Sequence, residues 1–343
     1  MNGSSRVVGA LERSVGVGQR RVEILAAFEC RYSDFDMMAE SAIGWDQKYD
    51  HIGRGGFDGR LSQVVLNTLQ VGRERWNPGI MQRGSAPEGC WVVGLPIVAE
   101  GSLHLRGRHV GPGQPLLVGP CDDIAFTATG ATDLAMAVMP VDQIEHWMQI
   151  RRGAPGLDRK YLDRPWKVAE REIVRRGAIL ARLLRLLLTS AGDASPDALA
   201  DIEGQVVDVV LGMVPSTDVT EPLHRRARVA MKLRDMLMGH VETPPSISVM
   251  CETLGVRERT LSLACVEAFG RPPKAMLLEI RLNAVRRALV HPTAERTVTA
   301  VASRLGFSHF GNFAAEYKRQ FAELPSVTLA KALGTSQPVA EPH

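Results

Sequence analysis

In TVTAVASRLGFSHFGNFAAEYKRQF (Thr297–Phe321) the large residues Leu305, Phe307, Phe313, Tyr317 and Phe321 recur at helical spacing, while SHFGN between them is small and polar. A core helix would place Leu or Ala there. The stretch reads as a helix, a tight turn at Gly306 and a second helix whose exposed start is polar. The same pattern occurs earlier, in SISVMCETLGVRERTLSLACVEAFG (Ser246–Gly270), with Gly255 at the turn. Between the two lies PPKAMLLEIRLNAVRRALVH, a long helix opened by Pro272 and Pro273. Two helix-turn-helix units on one rigid spacer can enter successive major grooves on one DNA face, about one helical turn apart.

Charge agrees with a polyanionic partner for this end of the chain. From Glu221 onward there are 17 Lys and Arg against 11 Asp and Glu, a balance of +6, and the remainder carries −3.

LGVRERTL, IRLNAVRRAL, VTAVASRLGFSHFGNFAAEYKRQF and the ELPS that follows resemble, in order and spacing, the C-terminal DNA-binding domain of the AraC/XylS family of bacterial transcription regulators. The resemblance covers about 223–329. It implies a double helix-turn-helix fold and promoter binding. The aromatic residues quoted above are core, and Ser308 is expected to cap the second recognition helix. By the resemblance, Ser308, His309, Phe310, Gly311, Asn312 and Ala315 fall at positions that face the groove in this family, with His309 also readable as a plain exposed helix start. Asn312 suits adenine and Phe310 a thymine methyl, whereas Lys318 and Arg319 suit phosphate or solvent. In the first motif Arg257, Arg259, Thr260 and Ser262 are available to DNA. Leu263 departs from the family pattern, and either meets thymine edges or contacts protein.

The 343 residues predict more than one domain. The expected layout is a disordered start (1–20), a cupin-like sensor domain (21–150), a helical dimerisation or interdomain region (151–213), a linker (214–222), the DNA-binding domain (223–333) and a disordered tail (334–343). From Phe57 to Met139 short β-prone runs alternate with Gly and Pro punctuation, the pattern of an antiparallel sandwich or barrel. This part resembles, more loosely, the cupin-like domains that sense small molecules or dimerise in AraC-type regulators. The fold class is therefore multidomain: a mostly antiparallel β sandwich or barrel followed by helices, then an all-α double helix-turn-helix. VDQIEHWMQI reads as a short helix capped by Asp142. VAEREIVRRGAILARLLRLLLTS (Val168–Ser190) carries an Ile/Leu stripe that suits a dimer seam.

Arg73, Arg75, Arg83, Arg106 and Arg108 crowd the strand-like segments and suit an anionic effector, or equally a solvated outer face paired with Glu74, Glu88 and Glu100. Trp45, Trp76 and Trp91 read as core or as pocket walls. His104 and His109 are five residues apart with no carboxylate close behind, so no metal or other cofactor and no catalytic residue is expected. The five scattered cysteines read as reduced and mostly buried. No apolar run reaches membrane-spanning length. The expectation is a cytoplasmic regulator that is not an enzyme and pairs as a homodimer. It would bind promoter DNA, answer a small-molecule effector and contact RNA polymerase. The alternative is a cupin-type enzyme carrying a DNA-binding module.

Overall fold

The computed structural model describes residues 21–153, 156–157, 167–190, 194–214, 225–292 and 297–334. The expected disordered start, nearly all of the expected linker and nearly all of the expected tail lie outside the described residues.

Among the described residues eleven strands form two antiparallel sheets. They are β1 (Ile24–Tyr32), β2 (Asp46–Ile52), β3 (Asp58–Leu66), β4 (Gln70–Asn77), β5 (Gly79–Ser85), β6 (Cys90–Ala99), β7 (Leu103–Leu105), β8 (Arg108–Val110), β9 (Leu116–Val118), β10 (Asp123–Ala128) and β11 (Thr132–Pro140). One sheet has the order β1-β3-β4-β11-β6-β9 and the other β2-β5-β10-β7-β8. Among the described residues no pairing joins the sheets, so the expected sandwich is present and the closed barrel is not. Two strands, β1 and β2, precede the expected start of the strands at Phe57. β2, DQKYDHI, is a strand of polar residues, which hid it.

The central strand β11 is buried on both faces, as a strand covered on both sides must be. Leu134, Met136 and Val138 face the space between the sheets, with Trp76, Val92 and Phe126. Ala135, Ala137 and Met139 face away, toward Leu180, Leu183, Leu184 and Leu187. Those leucines belong to α3 (Glu170–Thr189), which follows α1 (Phe35–Glu40) and α2 (Val141–Arg152) and packs beside α4 (Pro196–Leu211). The stripe assigned to a dimer seam is therefore filled by the chain's own sheet: Leu183 is 3% and Leu187 0% exposed. Asp142 lies in the first turn of α2 but does not cap it; Pro140 holds that position. Ser195 does cap α4, accepting from the Ala198 amide. Of the cysteines only Cys90 and Cys265 are buried, and Cys121 is exposed, so the expectation of mostly buried thiols is not met.

The C-terminal helices are α5 (Arg225–Gly239), α6 (Ile247–Leu254), α7 (Glu258–Phe269), α8 (Pro273–Val290), α9 (Val298–Arg304), α10 (Phe310–Phe321) and α11 (Pro325–Ala332). Ser246 and Thr297 cap α6 and α9. Gly255 ends α6 in the left-handed conformation. Gly306, also at positive φ, lies against the Arg281 guanidinium, where a Cβ would collide. α8 belongs to both motifs. Met276 and Ile280 join the core of α5, α6 and α7. Leu282, Val285 and Leu289 join that of α9 and α10.

Candidate nucleic-acid interface and effector cavity

Each recognition helix buries one face and leaves the other open. In α10, Phe313, Tyr317 and Phe321 are buried. Ser308, His309, Phe310, Gly311, Asn312, Ala315, Lys318 and Arg319 are exposed, as the sequence predicts for a groove face. Ser308 does not cap the helix. His309 occupies the cap position, its carbonyl accepting from the Phe313 amide, without a side-chain cap bond. Lys318 and Arg319 lie in the last turn, where they complement the helix dipole, and Arg319 pairs with Glu316.

In α7, Leu261, Ala264, Cys265, Ala268 and Phe269 are buried. Arg257 and Arg259 are exposed, whereas Thr260 and Ser262 are half-buried. Leu263 is 45% and Val266 44% exposed, so the outer face of this helix is apolar beyond its first turn. That exposure leaves Leu263 open both to thymine edges and to a protein contact.

The two helices sit at opposite ends of α8. With 18 residues, that helix spans about 27 Å, on the scale of one DNA turn, about 34 Å.

The two halves of the chain meet along β2. Asn283 on α8 acts like a neighbouring strand: its Oδ1 accepts from the His51 amide at 3.0 Å and its Nδ2 donates to the His51 carbonyl at 2.9 Å. Gln320 donates to the same carbonyl. Arg287 bonds Asp36 at 2.9 Å and Asp50 at 2.7 Å and also donates to the Tyr49 carbonyl. Arg286 pairs with Asp34 at 2.8 Å. Burial alone would raise Asp34; Arg286 and the Met37 amide outweigh it and hold the carboxyl low. Phe321 stacks on Phe35 and closes over the buried His51 ring. Burial, with Arg286 and Arg271 nearby, pushes that imidazole down to about 3. At the first motif, α7 packs on the β7–β8 hairpin. None of these contacts was legible in the linear sequence, because they join residues about 150 or more positions apart.

The five arginines assigned to an anion do not converge. Arg73 and Arg75 lie on the outer face of one sheet, and Arg73 pairs with Asp133 at 2.6 Å. Arg83 lies on the other sheet near Asp50, and Arg106 pairs with Asp122 at 3.0 Å. Arg108 is half-buried on β8. Glu74, read as part of a solvated outer face, points the opposite way, into the sandwich. There Gln82 donates to Gln47 at 2.6 Å, Gln47 to the Tyr49 hydroxyl at 3.1 Å, and Tyr49 to Glu74 Oε2 at 2.9 Å. Burial pushes Glu74 up to about 7, against the Tyr49 hydrogen bond. Strand alternation carried a signal for this, since Glu74 shares its face with Gly72 and Trp76 rather than with Arg73 and Arg75. Trp76 and Trp91 are core on opposite sides of the sheet.

Beside Glu74 is a cavity of about 40 Å³, walled by residues that include Trp45, Leu105, Phe126, Leu134 and Met136. Among the described residues no cluster of His, Cys, Asp and Glu is placed to hold a metal ion. His104 and His109 face each other across the hairpin, and burial, with His109 beside it, pushes His104 down to about 4.

Paired helix-turn-helix units with open outer faces, joined by one helix and docked on a β sandwich, define a DNA-binding transcription regulator. A helix-turn-helix domain model matches residues 250–331. The XylDLEGF operon transcriptional activator 3 of Pseudomonas putida is 34% identical over 285 residues, covering 79% of this chain and 82% of that protein. The chain belongs to the AraC/XylS family of transcription regulators. The "Probable thc operon regulatory protein" of Rhodococcus erythropolis is 34% identical over 96 residues, 28% of this chain and 29% of that protein. Among solved structures, the AraC-like transcriptional activator CuxR aligns over 79% of this chain and 96% of its own, at 17% identity and a TM-score of 0.38. The two curated relatives are named as regulators rather than enzymes, so the cupin-enzyme alternative is not favoured.

Proposed function

We propose that the protein is an effector-responsive activator that works on promoter DNA in the cytoplasm, with α10 reading bases and α7 chiefly fixing position. The observation that supports this most is the contrast between the open faces: Asn312 and its neighbours are polar, while α7 offers Arg257 and Arg259 at its start and apolar Leu263 and Val266 beyond. Phosphate contacts position a protein and base-edge contacts specify its site. Activation fits the relative named as an operon activator, and it requires a contact with RNA polymerase. Pairing as a homodimer would have to use a surface other than the leucine stripe of α3. Among the described residues no helix is long and apolar enough to cross a membrane. The effector site in this reading is the interior of the sandwich beside Glu74, not the arginines of its outer faces.

The test is selection of binding sites from random duplex DNA with the intact protein, followed by footprinting and a salt titration. The expected result is protection of two major-groove segments on one face, with affinity falling steeply as salt rises. A folded protein that selects no sequence and binds no DNA at low salt overturns the reading.

A further inference from the structure

Resting on the assignment of the sandwich interior as the effector site, we infer that Glu74 restricts that site to small, mostly apolar molecules whose polar end donates hydrogen bonds, an aliphatic amine above all, and turns carboxylates away. The polar chain at the cavity runs in one direction. Gln82 donates to Gln47, Gln47 donates to Tyr49 and to the Ala39 carbonyl, and Tyr49 donates to Glu74. The chain therefore ends in an acceptor. A carboxylate has about four lone-pair sites, and the structure gives Glu74 one hydrogen bond, on Oε2.

Among the described residues no Lys, Arg or His lines the cavity. A buried carboxylate without a cation is unfavourable unless something arrives to pair with it. An ammonium group supplies both the charge and the donors. A ligand carboxylate would meet a like charge wherever Glu74 is ionised, with no counter-ion among the described lining residues for its own burial. Burial holds Glu74 near 7, so ammonium binding, which requires the ionised form, weakens as pH falls below that value. A volume of about 40 Å³ holds about one water, which suits a small polar end group, and Trp45 and Leu105 are half-buried among the walls. Tyr49 also links this site to the DNA-binding half, since its carbonyl accepts from Arg287 on α8.

The experiment is calorimetric titration of the intact protein with n-butylamine, sodium butyrate and 1-butanol at equal ionic strength, with folding monitored by circular dichroism. Saturable amine binding, at least tenfold tighter than butyrate and weaker at pH 6 than at pH 8, is expected. Glu74→Gln should lower amine affinity at least tenfold and leave that of 1-butanol unchanged. Leu105→Trp, which adds bulk to a wall of the cavity, should abolish both, and serves if Glu74→Gln does not fold. Butyrate binding as tightly as the amine overturns the role of Glu74 while leaving the cavity as a binding site. Silence from all three probes, or amine binding that survives Leu105→Trp, overturns the interior site itself.

Discussion

Glu74 and Asn312 show how one residue's surroundings decide its role. Glu74 is pushed up to about 7 by burial, so between its usual value near 4.5 and about 7 the folded protein holds a proton that the unfolded chain has released. Folding stability therefore falls as pH rises through that window, by at most about 1.4 kcal/mol per pH unit for one group. Glu279 is raised to about 7 by burial too and adds in the same direction. Glu74→Gln should flatten the decline between pH 5 and 7 in urea unfolding measured at a series of pH values. An unchanged slope would mean that Glu74 is ionised throughout that range. Asn312 is exposed and offers a donor and an acceptor together. Asn312→Ala should relax preference at one or two base pairs, worth about 1–3 kcal/mol of discrimination. Arg259→Ala should weaken all sequences alike and reduce the salt slope by about 1. Binding to a library of single-base variants distinguishes the two, and the reverse outcome would exchange the roles of α7 and α10.

At the scale of elements, α3 and α8 each have a fixed face. The α3 stripe is packed on β6 and β11, and Leu187 is fully buried. Leu187→Ala should therefore destabilise the protein by about 2–5 kcal/mol in denaturant unfolding. It should not act as a selective dimer-breaking change, and a stable Leu187→Ala monomer in sedimentation would contradict this packing. On α8, Asn283 satisfies both the amide and the carbonyl of His51. Asn283→Ala leaves that buried amide without a partner, while Gln320 still reaches the carbonyl. The expected loss is about 1–3 kcal/mol, with faster amide hydrogen exchange at His51. Exchange as slow as in the wild type would show that β2 is held by its own sheet alone.

For the whole molecule, the two helix-turn-helix cores are continuous with the sandwich. Leu282, Val285 and Phe321 share a cluster with Phe35 and Tyr49, and Ile52 and Met81 share one with Leu233 and Leu261. Arg287 is the central charge of that junction, set against an Asp50 side chain only 2% exposed. Removing one partner of a buried pair leaves a charge uncompensated, so Arg287→Met should cost about 3–5 kcal/mol. Adding Asp50→Asn should recover part of that loss, and unfolding of the two single variants and the double variant measures it. Strict additivity of the two changes would mean that the pair does not couple the halves.

Local pattern was enough to identify the DNA-binding half. The Gly255 and Gly306 turns and the apolar spacing around SHFGN are encoded within a few residues of one another, so the two motifs and their exposed faces were legible in the sequence, whereas the caps at Ser246 and Thr297 were not read and Ser308 was misread as one. The turn-rich runs after Phe57 likewise announced an antiparallel sandwich or barrel, without deciding between them. The rest depended on which side of a sheet or helix meets which neighbour. Strand periodicity groups Glu74 with Trp76 and Arg73 with Arg75, but only sheet packing determines which group lies inside. The α3 stripe is apolar in any reading, yet whether it covers a second copy or the chain's own sheet is settled by tertiary contact. β2 reads as polar because its hydrogen-bonding partners, Glu74 from β4 and Asn283 and Arg287 from α8, arrive from distant parts of the chain. Burial and long-range pairing, which no short window of sequence contains, decided those roles.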